Sequence, residues 1–133
     1  MSNLREMAHN YLCQRRQEKV EFIALTVGDM RKAYPQDDRY INNALMDYDY
    51  ETSKDGETTL PHSKLRIVAA VLDGEIIQLC ACESDTESIE QAENFVMSIA
   101  FNEIATQEQR RMDSMDKQEQ IKHACAYFAA ALT

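Results

Sequence analysis

K-L-R-I-V-A-A-V-L-D-G-E-I-I-Q-L-C-A-C-E, Lys64 to Glu83, is the stretch whose reading decides the fold. Two β-rich runs flank Asp73-Gly74, a pair that readily takes the positive φ values of a two-residue hairpin turn. The competing reading is a short helix over Ser63–Leu72, which its Ala and Leu would permit. Asp-Gly followed by Glu-Ile-Ile favours the hairpin. A two-residue turn pairs Leu72 with Glu75 and Val71 with Ile76, and an unbroken ladder runs outward to Lys64 opposite Glu83. One face then carries Leu65, Ile67, Ala69, Val71, Ile76, Gln78, Cys80 and Cys82. The other carries Arg66, Val68, Ala70, Leu72, Ile77, Leu79 and Ala81. Both faces are largely apolar, as in strands covered on both sides. A two-stranded ribbon is marginal alone, so helices or further strands must cover it.

Upstream, Asn3 to Lys19 reads as a helix, with Asn3 and Glu6 at capping-box spacing and Leu4, Ala8, Tyr11 and Leu12 in one stripe. Val20–Leu25 is a short apolar run that fits a strand beside the hairpin as well as a continuation of that helix. Thr26 with Asp29 opens a short helix to Tyr34, which Pro35 stops. Asp37 or Asp38 caps a further helix with Ile41, Ala44, Leu45 and Tyr48 at 3–4 spacing, expected to dissolve at Asp47-Tyr48-Asp49-Tyr50-Glu51. Downstream, Ser84 with Glu87 is expected to cap a helix through Ile104. Gln107–Met112 is either helical or a connection. A last, alanine-rich helix is expected from Met115 to Leu132, with Ile121, Cys125, Phe128 and Leu132 on one stripe.

The 133 residues suit one domain with a real core, and 3 Gly and 2 Pro argue against a loop-rich chain. No apolar run approaches the roughly 20 residues that span a membrane, and the N-terminal stretch lacks the apolar segment of a signal peptide. Cytoplasmic residence is the expectation. Cys80 and Cys82 share a strand face about 6–7 Å apart at Cα, too awkward to bridge, and Cys13 and Cys125 sit among apolar residues. All four cysteines are expected to be buried, reduced thiols.

Catalytic chemistry finds no foothold. Cys80-x-Cys82 and His123-x-Cys125 lack the spacing of a zinc site, since residues two apart on a helix point about 200° apart. His9, His62 and His123 are scattered, and His62 beside Pro61 reads as a solvated loop residue. There is no nucleophile elbow, P-loop or G-x-G-x-x-G. The expectation is therefore no enzyme, no cofactor and no metal.

Charge carries the functional reading. The net charge is −9, concentrated in two segments: residues 36–63 hold seven acidic and two basic groups, and residues 74–104 hold seven acidic and no basic ones. Such a field disfavours direct nucleic-acid binding. The order helix, possible strand, short helix, turn, second helix, hairpin over residues 3–83 resembles a winged helix-turn-helix. The resemblance implies Thr26–Tyr34 as positioning helix, Asp38–Tyr48 as recognition helix and the hairpin as wing. Arg15, Arg16, Arg31, Lys32 and Arg39 would then contact DNA, in a regulator dimerising through its C-terminal helix. The tip, Asp73-Gly74-Glu75, has the wrong sign for phosphate.

The sequence thus predicts one α+β domain over residues 1–133, with a helical N-terminal half, a central antiparallel β-hairpin or three-stranded sheet, and two long C-terminal helices. Its expected role is that of a non-enzymatic acidic regulator or inhibitor. Asp37, Asp38, Asp47, Tyr48, Asp49, Tyr50 and Glu51 would dock on a basic, nucleic-acid-handling surface of a partner protein. Alternating Asp roughly mimics phosphate spacing, which would suit an inhibitor carried by a phage or plasmid.

Overall fold

The computed structural model describes residues 2–54, 60–114, 119, 122 and 125, and the backbone alone for residues 2–5 and 54. The elements run α1 (Ser2–Glu18), β1 (Glu21–Thr26), α2 (Val27–Ala33), α3 (Asp38–Lys54), β2 (Leu65–Leu72), β3 (Glu75–Glu83) and α4 (Thr86–Ser114). Single 3₁₀ turns stand at Pro35–Asp37 and His62–Lys64. This is an α+β chain with a three-stranded antiparallel sheet. It folds as two compact units, Val20–Ala100 and Met1–Lys19 with Phe101–Thr133, so α4 contributes its first half to one and its second half to the other.

In the unit Val20–Ala100, β2 is the middle strand of the order β1-β2-β3. Val20–Leu25, open between helix and strand in the sequence, resolves as β1, with Phe22 opposite Ala70, Ala24 opposite Val68 and Leu25 opposite Ile67. Helices cover both faces of the sheet. On one, Val27 and Met30 of α2 and Ile41 and Leu45 of α3 pack with Leu65, Ile67, Ala69, Val71 and Leu79. On the other, Ala92, Val96 and Ala100 of α4 pack with Val68, Ala70 and Cys82. This is why β2 reads as a nearly continuous apolar run: of its eight residues only Arg66 is not buried.

The hairpin turn forms as expected, with Asp73 at φ 53° and Gly74 at φ 79°. The ladder starts as expected too, with Leu72 opposite Glu75 and Val71 opposite Ile76, but Ala70 then pairs with Gln78. Three residues of β3, Ile76, Ile77 and Gln78, thus face two of β2, a β-bulge that reverses the parity of the rest of the strand. Leu65, not Lys64, ends up opposite Glu83. The bulge has a packing cause. It turns Leu79 and Ala81 toward α2 and α3, and it sets Cys80 and Cys82 against α4, where Ala92 and Ala100 leave room for close approach. Gln78, polar amid these faces, accepts a hydrogen bond from the Tyr40 hydroxyl of α3.

Helix ends follow local chemistry. Thr26 Oγ1 accepts from the Asp29 backbone N–H at 3.1 Å, the cap the sequence indicated for α2. At α4 the cap is Asp85 and not Ser84. Its carboxylate accepts from the Ser88 backbone N–H at 2.8 Å and from the Ser88 hydroxyl at 2.7 Å. Those bonds hold the Asp85 carboxyl below its usual range. Two helices outrun the expectation. α3 continues through Asp47–Glu51 to Lys54, and α4 takes in the polar Gln107–Met112 stretch. The second extension has a visible cause, because Ile104, Glu108 and Met112, four residues apart, are all buried. Most of the expected helix from Met115 to Leu132 lies outside the described residues.

In the unit formed by α1 and the second half of α4, Ala8 and Leu12 of α1 are buried, as are Ile104 and Met112 of α4. A charge is buried with them. Glu108 is 1 % exposed and accepts from Arg16 Nη1 at 2.9 Å, with Arg111 at 4.0 Å. Arg16 also donates to Gln107 Oε1 at 3.1 Å.

The turn gives a direct test of the hairpin. No atom lies within 4 Å of a Cβ built on Gly74, so Gly74→Ala meets only the backbone penalty at positive φ. Urea denaturation should show a loss of about 1 kcal/mol. No loss would mean that the turn is not of this type.

Candidate interaction surface on helix α3

Because α3 runs unbroken to Lys54, the acidic-aromatic stretch is helical, and helical geometry divides it between two faces. Tyr48 turns inward against the core, and its hydroxyl donates to Glu83 Oε1 at 3.4 Å. Burial and then the Glu83 carboxylate raise its phenol above the usual value. Asp49 is held by His62, whose Nε2 lies 2.9 Å from Asp49 Oδ2. His62 is therefore an anchored side chain and not a merely solvated one. Asp47, Tyr50 and Glu51 are exposed on the outer face, Tyr50 by 64 %.

That outer face also presents Met46, 67 % exposed and one helical turn before Tyr50. Arg39, Asn42 and Asn43 continue it toward the start of the helix. Asp38 lies at that start, bound to Arg31 Nε at 3.1 Å. Asn42 bridges the pair, accepting from Arg31 and donating to Asp38 Oδ2. Asp37 is half-buried in the preceding turn. The rise from Asp38 to Asp47 is roughly 14 Å along the axis, so the acidic residues singled out in the sequence form two groups. Near the start of the helix Asp38 is paired with Arg31, and further along Asp49 is paired with His62. Asp47 and Glu51, of the second group, flank Met46 and Tyr50.

Glu51 stands in the last turn of α3, where the helix dipole disfavours a negative charge. Its position there does nothing for the helix. Met46 lies off the Ile41–Leu45–Tyr48 stripe and so carries no core signal in the sequence. A surface signal is present nonetheless: once the helix is carried past Asp47, residues 46 and 50 fall on the solvent side. An open depression of about 560 Å³ adjoins Tyr50, lined also by Asp49, Ser53, Leu60, Pro61 and His62.

Burial raises three of the thiols. Burial, with Cys82 adding, pushes Cys80 up to about 12. Burial, then Asp85, raises Cys82 to about 11, with Arg66 opposing. Burial, with Glu108 adding, also raises Cys13. Cys125 departs from the expectation, being exposed. Among the described residues no cluster of three or more His, Cys, Asp or Glu side chains is placed to hold a metal ion. No described helix is long and apolar enough to cross a membrane. The chain matches no family model, no curated protein and no solved structure.

The raised thiols make stability depend on pH. The folded chain keeps the protons of Cys80 and Cys82 above the ordinary thiol value of 9.0, at which the unfolded chain releases them. Their stabilisation is complete below that value and is lost as pH rises toward 11 to 12. Urea unfolding should therefore show stability falling above pH 9.0, and the double variant Cys80→Ala/Cys82→Ala should flatten the fall. An equally steep fall in that variant would contradict the assignment.

Proposed function

We propose that this chain is an acidic interaction protein whose contact surface is the outer face of α3. Met46 and Tyr50 act as apolar anchors there, with Asp47 and Glu51 beside them. The carrying observation is the adjacency of two large exposed side chains, 67 % and 64 %, one turn apart on a helix whose remaining apolar residues face the core. Tyrosine and methionine are enriched at protein interfaces, and a carboxylate rim selects a Lys- or Arg-bearing partner. A regulator or inhibitor that occupies a basic, nucleic-acid-handling surface fits this pattern.

A second reading rests on the element order, since α1, β1, α2, α3, β2 and β3 follow the winged-helix sequence of elements. Two of the five cations it would use are already engaged, Arg16 by Glu108 and Arg31 by Asp38. Among the described side chains, the exposed face of α3 carries Asp47 and Glu51 with Arg39 as its one cation. The acidic interaction surface is therefore the stronger proposal. A homodimer through the alanine-rich C-terminal stretch concerns residues mostly outside those described.

The test is affinity capture from the native host, with binding to the captured protein measured by calorimetry. Met46→Ala/Tyr50→Ala and Asp47→Lys/Glu51→Lys should each weaken binding about tenfold or more. Binding should also weaken as salt rises. Retardation of a specific DNA fragment, with capture unaffected by either double variant, would favour the winged-helix reading instead.

A further inference from the structure

β3 is a terminal strand of the sheet, so among the described residues one side of its backbone has no strand partner. Its outward N–H and C=O groups make none of the loop or capping backbone hydrogen bonds found among the described residues. A cavity of about 470 Å³ runs beside its second half. Four successive residues, Cys80, Ala81, Cys82 and Glu83, line that cavity, with Tyr48 of α3 on one side and Phe95 of α4 on the other.

The succession of four identifies what kind of cavity this is. Neighbouring side chains of a strand point to opposite faces, so a cavity on one face meets every second residue. A cavity that meets all four lies along the strand's edge. Its walls come from the two helices that cover the two faces, α3 on the face of Ala81 and α4 on the face of Cys80 and Cys82. Phe95 is 54 % exposed, although Ala92 and Val96 beside it on α4 are buried. A backbone edge at the floor and an aromatic ring at the rim is the arrangement that takes up an extended segment as an added strand.

The charges choose the occupant. β3 begins at Glu75 and ends at Glu83. Asp85 follows it, and no basic residue occurs between residues 74 and 104. A second copy paired antiparallel about the centre of β3 would set Glu75 against Glu83 at both ends, which like charges disfavour. A segment with Lys or Arg at its ends and β-branched residues between meets carboxylates instead.

We propose that the open edge of β3 is a strand-addition site for an extended, basic-ended peptide segment of a partner protein. Main-chain hydrogen bonds to residues 80–83 supply the pairing, and Phe95 receives an apolar side chain. The site is separate from the outer face of α3, and each can fail without the other.

The experiment uses the full chain and a fluorescein-labelled peptide matched to the nine residues of β3, with Lys at each end and alternating Val and Thr between. Anisotropy should show saturable binding, and the amide signals of residues 80–83 should move in ¹H–¹⁵N spectra. Phe95→Ala and Glu83→Lys, both at exposed positions, should each weaken binding about tenfold. Asp47→Lys, on the outer face of α3, should leave it within about twofold. Circular dichroism confirms that each variant is folded. The proposal is overturned if neither this peptide nor an Arg-ended, Ile-rich counterpart binds saturably. It is equally overturned if the shifted amides lie in β1 or on the outer face of α3, or if Phe95→Ala and Glu83→Lys bind as the parent does.

Discussion

The double burial of β2 is the constraint on which the unit Val20–Ala100 depends. A strand in the middle of a three-stranded sheet, apolar on both faces, must be covered twice. α2 and α3 supply one layer and the first half of α4 the other. Each fully buried Ile, Leu or Val side chain contributes about 1.5–3 kcal/mol, so the core concentrates on the strand that has Leu65, Ile67, Val68, Val71 and Leu72. The bulge in β3 follows from the same demand. Without it Leu79 would face α4 and the two thiols would face α3; with it the larger side chain enters the larger core.

A different balance holds where α1 meets the second half of α4. Glu108, almost wholly buried, is bound by Arg16 and approached by Arg111. Its Oε2 has no hydrogen-bond partner among the described residues. Removing one member of such a pair strands a buried charge, whereas replacing both with apolar groups is often harmless or stabilising. The burial of Glu108 is thus weak grounds for counting the pair as net stabilisation.

The parts of the fold legible in the sequence were those set by short-range chemistry. Asp73-Gly74 named its own turn, Thr26 with Asp29 named its own cap, and the two apolar faces of Lys64–Glu83 announced cover on both sides. What stayed hidden depended on the identity of distant neighbours. A bulge at Ile76–Gln78 leaves no local mark, because either parity gives mostly apolar faces. Carrying α3 past Asp47 requires knowing that Tyr48 has Glu83 to reach. Gln107–Met112 reads as either helix or connection because the partner of Glu108, Arg16, lies 92 residues away. The acidic-aromatic stretch was visible as a feature, but its division into inward Tyr48 and outward Tyr50 needed the helix. Phe95 beside the edge of β3 emerges only from the three-dimensional arrangement.

Both proposed surfaces hang from the same sheet, α3 lying across one face and β3 forming its border. Strand order is thus the central claim, and native-state amide hydrogen exchange read by ¹H–¹⁵N spectra tests it most directly. With β2 paired on both sides, its amides should be protected throughout Leu65–Leu72. Those of β3 should alternate between slow ones that face β2 and fast ones that face the open edge. Uniform protection along β3, or fast exchange at alternate positions of β2, would contradict the order β1-β2-β3.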